Sequence, residues 1–461
     1  MDKWGVSVDN FVDKKTYQQP VDKWGSYPQV IHKVSTGVRA VISMTRLSYP
    51  HYPQALLLLL LVFKKNIILV VYSFSTVLTC NNDRDLSTRE VFFMKLKVKQ
   101  KDFYEGIQTV SKAVSAKTTL PILSGILLET EKNKIKLVGT DLEIGIECFV
   151  EAEIISEGDI VLPAKYLTSI IRELPSEEII LTSEESNNTA QIKCGNSQFN
   201  IHGSPTDEFP LLPEVESGIN FSIAQEKLKA IINQIEFAVS DDESKPFLNG
   251  GLMLVEDKSI KLAATDTYRL AYREDELDNQ DLEVDELIIP SKTLSELSKL
   301  LADTEDEVKI SITENQALFN FSGISIVSRL IEGQFPNYKQ VIPDQNTTTA
   351  TVDKKRLLSA TKRAALLAKQ DSNIIKINLK SDKLIITANT PEVGQAYEEV
   401  PIELQGEETE IAFNAKYLID CLKVISDEEV NLELSGSLSP GVIKTTTEAE
   451  YIYVIMPVRS A

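Results

Sequence analysis

Three pairs of basic residues, Lys165/Arg172, Lys292/Lys299 and Lys416/Lys423, are each spaced by seven and recur about one domain's length apart. Seven positions is roughly two helical turns, so each pair shares one helix face, opposite the apolar stripe. Each pair sits in a copy of one pattern, an apolar strand-like run leading into a helix, at residues 161–174, 288–301 and 411–425. Lys355, Lys362 and Lys369 repeat the spacing on another helix. One such pair reads as a solvated helix face; three in register favour attraction of phosphates. Interleaved aromatics and a recognition-helix pattern are missing, so base reading is not indicated.

Other chemistries find little support. From Met94 onward His202 is the only histidine, and the chain holds no GxxxxGK[ST], HExxH or GxSxG motif. Asp141 and Asp266 each follow a threonine in a repeated Thr-Asp pair, which reads as turn formation rather than catalysis. Cys80, Cys148, Cys194 and Cys421 are scattered without a CxxC pair, so no metal, cofactor or disulfide framework is expected. A reduced, cytoplasmic, non-catalytic protein is the simplest reading.

The elements that must position the lysines repeat with them. Lys165 to Lys292 is 127 positions and Lys292 to Lys416 is 124; Thr140-Asp141 recurs as Thr265-Asp266, and Phe209-Pro210 as Phe335-Pro336. These are domain lengths, not solenoid periods. Met94–Lys99 alternates as a strand, and Phe103, Ile107, Val110 and Val114 predict a helix over 102–114, with related helices over 225–239 and 354–369. Residues 134–138, 259–263 and 383–387 are short β-type runs. The expected fold is α+β: three domains at 94–217, 218–348 and 349–461, each with two helices on antiparallel sheets and a strand–helix–strands order occurring twice.

The charge is uneven. The chain carries −20 overall; residues 1–93 hold 11 Lys/Arg against 7 Asp/Glu, a balance of +4, which leaves −24 on residues 94–461. So acidic a chain repels nucleic acid unless its cations are gathered on one surface. The C-terminal run Tyr451–Ala461 starts as a core strand, but Met456-Pro457-Val458 beyond it suits an adaptable apolar cleft for a partner peptide.

Taken with Leu120-Pro-Ile-Leu123, Gly139-Thr-Asp-Leu142, Phe247-Leu-Asn-Gly250, Thr265-Asp-Thr-Tyr-Arg-Leu270, Gly333-Gln-Phe-Pro-Asn-Tyr338 and Met456-Pro-Val-Arg459, residues 94–461 resemble the bacterial DNA polymerase III β subunit family, the sliding clamps. The resemblance implies a head-to-tail homodimeric ring of six similar domains, with helices lining the hole and strands on the rim. It implies double-stranded DNA, the replicative polymerase, the clamp loader and other clamp-motif proteins as partners. The DNA-facing set would be Lys112, Lys117, Lys165, Arg172, Lys245, Lys292, Lys299, Lys355, Lys362, Lys369, Lys416 and Lys423. Asp242 departs from an uncharged position in some members. The family's partner cleft between its second and third domains maps onto Leu248, Thr265, Thr267, Leu270, Pro336, Val341, Tyr417, Val454, Met456, Pro457, Val458 and Arg459. Thr267 replaces a common glycine, which would narrow the cleft, and two residues follow Arg459. Phe199, Leu366 and Leu367 match the dimer contact.

Residues 1–93 have no counterpart in that family. Val-Asp-Lys/Asn and Tyr-Pro-Gln/His recur there beside Val-Ile-His-Lys at 30–33, and all three back-translate to frames of one DNA word resembling the replication-initiator box TTATCCACA. Arg89-Glu90 can encode the purine run of a ribosome-binding site ahead of Met94. The segment therefore reads as translated origin DNA, with a natural start at Met94; a disordered or membrane-targeting leader is the alternative. A competing account makes the protein a membrane-tethered acidic scaffold or adhesion protein anchored by residues 55–72, although Lys64-Lys65 interrupts that stretch.

Overall fold

The computed structural model describes residues 39–43, 57–63 and 66–72, and then 94–459 apart from short gaps at 116–117, 185–187, 214–217, 278–281, 369–372, 392 and 447–449. Residues 1–88 and 89–461 form two separate units. In the first, Arg39–Ser43, Leu57–Phe63 and Asn66–Tyr72 form an antiparallel three-stranded sheet. The apolar runs proposed as an anchor are thus strands, and among the described residues no helix is long and apolar enough to cross a membrane. The remainder of the translated-DNA reading lies outside the described residues.

In the second unit the order strand–helix–strand–strand–strand occurs six times, twice per domain. The helices are α1 (Gln100–Ser111), α2 (Ala164–Glu173), α3 (Gln225–Ile235), α4 (Ser291–Leu300), α5 (Lys354–Ala368) and α6 (Ala415–Val424). α1 starts two residues before its expected start and ends three residues earlier, because Gln100 donates Nε2 to the Ile171 carbonyl at 2.7 Å and is buried in the first turn. α3 tightens into a 3₁₀ turn at Glu236–Ala238, which ends it short of the periodic pattern.

The helices pack in pairs, α1 with α2, α3 with α4 and α5 with α6. Each pair packs on one face of its sheets. In α2, Leu167 and Ile171 are fully buried while Lys165 and Arg172 are exposed. Burying a Leu or Ile contributes about 1.5–3 kcal/mol, which outweighs the modest helix propensity of so short a segment.

Strands tie the domains together. Ile144–Cys148 of the first domain pairs antiparallel with Ile324–Ser328 of the second. Arg269–Arg273 of the second pairs with Tyr451–Ile455 of the third. The result is two sheets of twelve strands. Ser197–His202 ends one of them, paired only with Thr189–Cys194 among the described residues.

Candidate functional site

The Thr-Asp turns are domain-boundary devices. Asp141 Oδ1 accepts the backbone N–H of Glu143 (3.0 Å) and Ile144 (2.9 Å), closing the turn before the strand that crosses to the second domain. Its other oxygen takes the Lys292 ammonium at the start of α4. At the next boundary Asp266 Oδ1 closes the same turn, accepting from Tyr268 and Arg269. Asp266 Oδ2 then accepts from Arg269 Nε at 2.9 Å, and Arg269 Nη1 reaches Asp420 Oδ2 on α6 at 3.2 Å. That guanidinium is buried, with its Cζ 5.4 Å from the Phe237 ring centroid and 4.5 Å from that of Tyr417. Burial opposes its charge, but the surrounding groups, Tyr453, Asp266 and Asp420, hold its pKa above the ordinary arginine value. Sequence reasoning passed over Arg269 and Phe237. The available signal was an arginine beside the otherwise apolar run Leu270-Ala271-Tyr272.

The lysines divide into two groups. Lys165, Arg172, Lys245, Lys299, Lys355, Lys362, Lys416 and Lys423 are exposed. Several lean on a neighbour: Arg172 on Glu173 (3.0 Å), Lys299 on Glu296 (2.8 Å) and Lys423 on Asp420 (3.7 Å). Exposed pairs of this kind are worth at most about 1 kcal/mol. Lys292 and Lys112 differ, because both are half-buried and face carboxylates across the first domain boundary. Lys112 Nζ lies 3.9 Å from Glu296, and burial followed by the nearby Lys299 pulls its pKa below the usual lysine value. Lys245 occupies the turn leading into Pro246–Leu248, where Asp242 Oδ1 accepts from Ser244 N (3.0 Å) and Oγ (2.7 Å). Those hydrogen bonds keep the Asp242 carboxyl below its ordinary pKa. Lys117 and Lys369 lie outside the described residues.

The second boundary also holds an apolar cluster. Leu248, Leu270 and Val454 are buried there beside Leu252, Phe335 and Tyr338. Around them Thr265 is half-buried, with its Oγ1 donating to the Arg269 carbonyl at 2.6 Å. Thr267 is exposed at φ +78, a left-handed conformation costly for a β-branched side chain and natural for glycine. Pro336, Val341 and Met456 are exposed, Pro457 and Val458 half-buried, and Arg459 exposed. The tail after Ile455 straps two domains: Met456 N donates to Tyr268 O (2.9 Å) and Val458 N to Ala412 O (2.8 Å). Tyr417, on α6, is held by its stack on Arg269 and by Tyr453 Oη, which donates to the Tyr417 carbonyl at 3.0 Å.

Apolar side chains also mark both ends of the unit. Phe199 is 39% exposed on the terminal strand, and Leu366 is 70% exposed on α5 with Leu367 half-buried beside it. Val393 and Tyr397 are exposed at the start of Gly394–Gly406, close to α5.

Comparison with known proteins agrees with this organisation. Family models of the DNA polymerase III beta subunit match in chain order: the N-terminal domain over residues 94–213, the central domain over 222–337 and the C-terminal domain over 339–459. The beta sliding clamp of Halalkalibacterium halodurans is 39% identical over 372 residues, covering 78% of this chain and 97% of that protein. The crystal structure of the DNA polymerase sliding clamp from Bacillus subtilis is 34% identical with a TM-score of 0.77, covering 80% of this chain and all of that one. A Pseudomonas aeruginosa sliding clamp crystallised with griselimycin is 32% identical, with a TM-score of 0.75 over the same shares. The chain belongs to the DNA polymerase III beta subunit family, the bacterial β sliding clamps.

Proposed function

We propose that two copies of this chain close head to tail into a ring that encircles duplex DNA and holds the replication machinery on it without catalysing a reaction. The observation that carries this reading is the repeated boundary. The fourth strand of one domain's first half pairs with the last strand of the next domain, at Ile144–Cys148 with Ile324–Ser328 and at Arg269–Arg273 with Tyr451–Ile455. One strand of each kind is left over. Among the described residues Gly394–Val400 pairs on one side only, with Leu384–Thr390, and Ser197–His202 is an edge strand. Joining them between copies repeats the same contact a third time and covers Phe199, Leu366 and Tyr397, which suits a closed, symmetric dimer.

Lys165, Arg172, Lys245, Lys299, Lys355, Lys362, Lys416 and Lys423 supply the cations for DNA, and the remaining acidic surface disfavours other contacts. Attraction to phosphates alone permits sliding, and closure supplies retention. Lys112 and Lys292 serve the domain boundary instead. The cleft around Leu248, Leu270, Val454 and Met456 takes apolar segments of the replicative polymerase, the clamp loader and other partners in the cytoplasm. Sedimentation of the purified protein, followed by polymerase processivity on primed circular DNA, tests the reading. Twice the chain mass and longer products are expected; a monomer that leaves product length unchanged refutes it.

A further inference from the structure

The two domain boundaries share one backbone plan but differ in the side chains at matching positions. At the first, Glu147 pairs across with Ser325, and at the second, Tyr272 pairs across with Ile452 in the same register position. Glu129 likewise stands where the second boundary has Leu254, as the pairings Glu129–Lys136 and Leu254–Lys261 establish, and Gly145 where it has Leu270, as the pairings Thr140–Gly145 and Thr265–Leu270 establish. Leu254, Leu270, Tyr272 and Ile452 are buried in one apolar cluster. At the first boundary, Glu129, Glu147 and Ser325 instead line a cavity of about 560 Å³ with Leu318 and Val327, and Lys136 pairs with both glutamates at 3.5 and 3.3 Å. A second cavity of about 350 Å³ opens beside it between Leu142, Leu211 and Val327.

The polar ties differ in the same sense. The first boundary relies on two lysines, Lys292 on Asp141 and Lys112 on Glu296. An ammonium on a four-carbon stem is a mobile point charge, and partly exposed pairs are screened by salt. The second boundary has Arg269, fixed by two carboxylates and two aromatic rings. Phe237 stands there at the position that Lys112 occupies in the first helix pair.

We propose that the boundary between the first and second domains is the compliant, salt-sensitive joint of the protomer, and that the boundary between the second and third is rigid. Cavities that admit water offer little resistance to small rotations, whereas apolar side chains packed against one another across a boundary resist any rotation that separates them. The strand pairing at the first joint survives such bending, because a single antiparallel ladder twists at low cost.

The test is pulsed electron–electron distance measurement on the full chain. Spin labels are placed at Lys134→Cys, Glu226→Cys and Glu403→Cys, exposed positions in the three domains, in pairs across each joint. Cys80→Ser removes a background thiol, and labelled chain is diluted with unlabelled chain so that only distances within one protomer are read. The expected result is a broader distribution across the first joint, broadening further in about 1 M salt, where the screening length falls to roughly 3 Å. The second joint should stay narrow in both conditions. The variant Glu147→Tyr/Ser325→Ile, which copies the second joint into the first, should narrow the first distribution. If that variant fails to fold, Asp141→Asn must broaden the first joint and leave the second unchanged. Equal widths, or broadening confined to the second joint, overturn the proposal. Sedimentation of the same samples reads ring closure separately, so a monomer would refute the ring and leave this comparison standing.

Discussion

Lys292 is ion-paired with Asp141, so a lysine that helical spacing places on a basic face is committed to the neighbouring domain. Asp141 is mostly buried and already holds the turn through its other oxygen, which fixes the carboxylate in place to receive the ammonium. Asp141→Asn should therefore lower stability by about 1 kcal/mol at low salt, a figure reduced for the partial exposure of Lys292, with the difference shrinking in high salt. Thermal melting at two ionic strengths checks this.

Arg269 should behave differently. Arg269→Met leaves Asp266 and Asp420 beside an apolar side chain, and breaking a buried pair from one side costs roughly 3–5 kcal/mol. Arg269→Lys should recover little, because an ammonium cannot span both carboxylates while stacking between Phe237 and Tyr417. The melting temperature should fall in both variants, with little dependence on salt.

The lysine division predicts DNA behaviour. Replacing Lys355, Lys362 or Lys416 with Ala should flatten the plot of log affinity against log salt by up to about 0.9 for each phosphate no longer neutralised. Lys112→Ala and Lys292→Ala should leave that slope unchanged. Fluorescence anisotropy with short duplexes over a salt series separates the two groups.

At the chain ends, Leu366→Glu or Phe199→Asp should yield a folded monomer. Both side chains are exposed in the protomer, so circular dichroism should be unchanged and protomer stability should move by no more than about 0.5 kcal/mol. A dimer persisting in sedimentation equilibrium would place ring closure elsewhere.

Alkali should weaken the fold through groups buried in neutral form. Burial pushes the Cys148 thiol from 9.0 up to about 12. The Tyr338 phenol rises from 10.0 to about 12 through burial and then Glu256, and its hydroxyl has no hydrogen-bond partner among the described residues. A folded pKa above the unfolded value means that the folded state keeps its proton longer. The stabilisation is therefore complete below about pH 9 and is lost progressively towards pH 12. Denaturant midpoints measured between pH 8 and 11.5 should fall steadily, and native Cys148 should resist alkylation up to the transition.

Much of the organisation was legible from Lys165, Lys292 and Lys416 together with the repeated Thr-Asp and Phe-Pro pairs. A helix with its apolar residues at 3.6-residue spacing has only one stable way to lie on a sheet, so α2, α4 and α6 follow from local pattern. The helix ends were less readable, because α1 begins where Gln100 meets the Ile171 carbonyl, which belongs to a helix far along the chain. The tail was half legible: Tyr451–Ile455 is a continuous apolar run and is buried throughout, but the strap made by Met456 and Val458 depends on Tyr268 and Ala412, far away in sequence.

The amino-acid sequence alone determined the three repeats, their two-helix α+β plan, the family and the basic spacing, because each rests on periodicity or local motif. Only the tertiary structure decided what each cation faces. Periodicity assigns a side chain to a face of its own helix, whereas its electrostatic role depends on which carboxylate another domain brings within a few ångströms. Lys292 and Lys299 share one face, yet Asp141 claims the first and the second stays exposed. Arg269 illustrates the converse, a charge hidden in an apolar strand whose partners, Asp420 and Tyr417, meet it only when the second and third domains are joined.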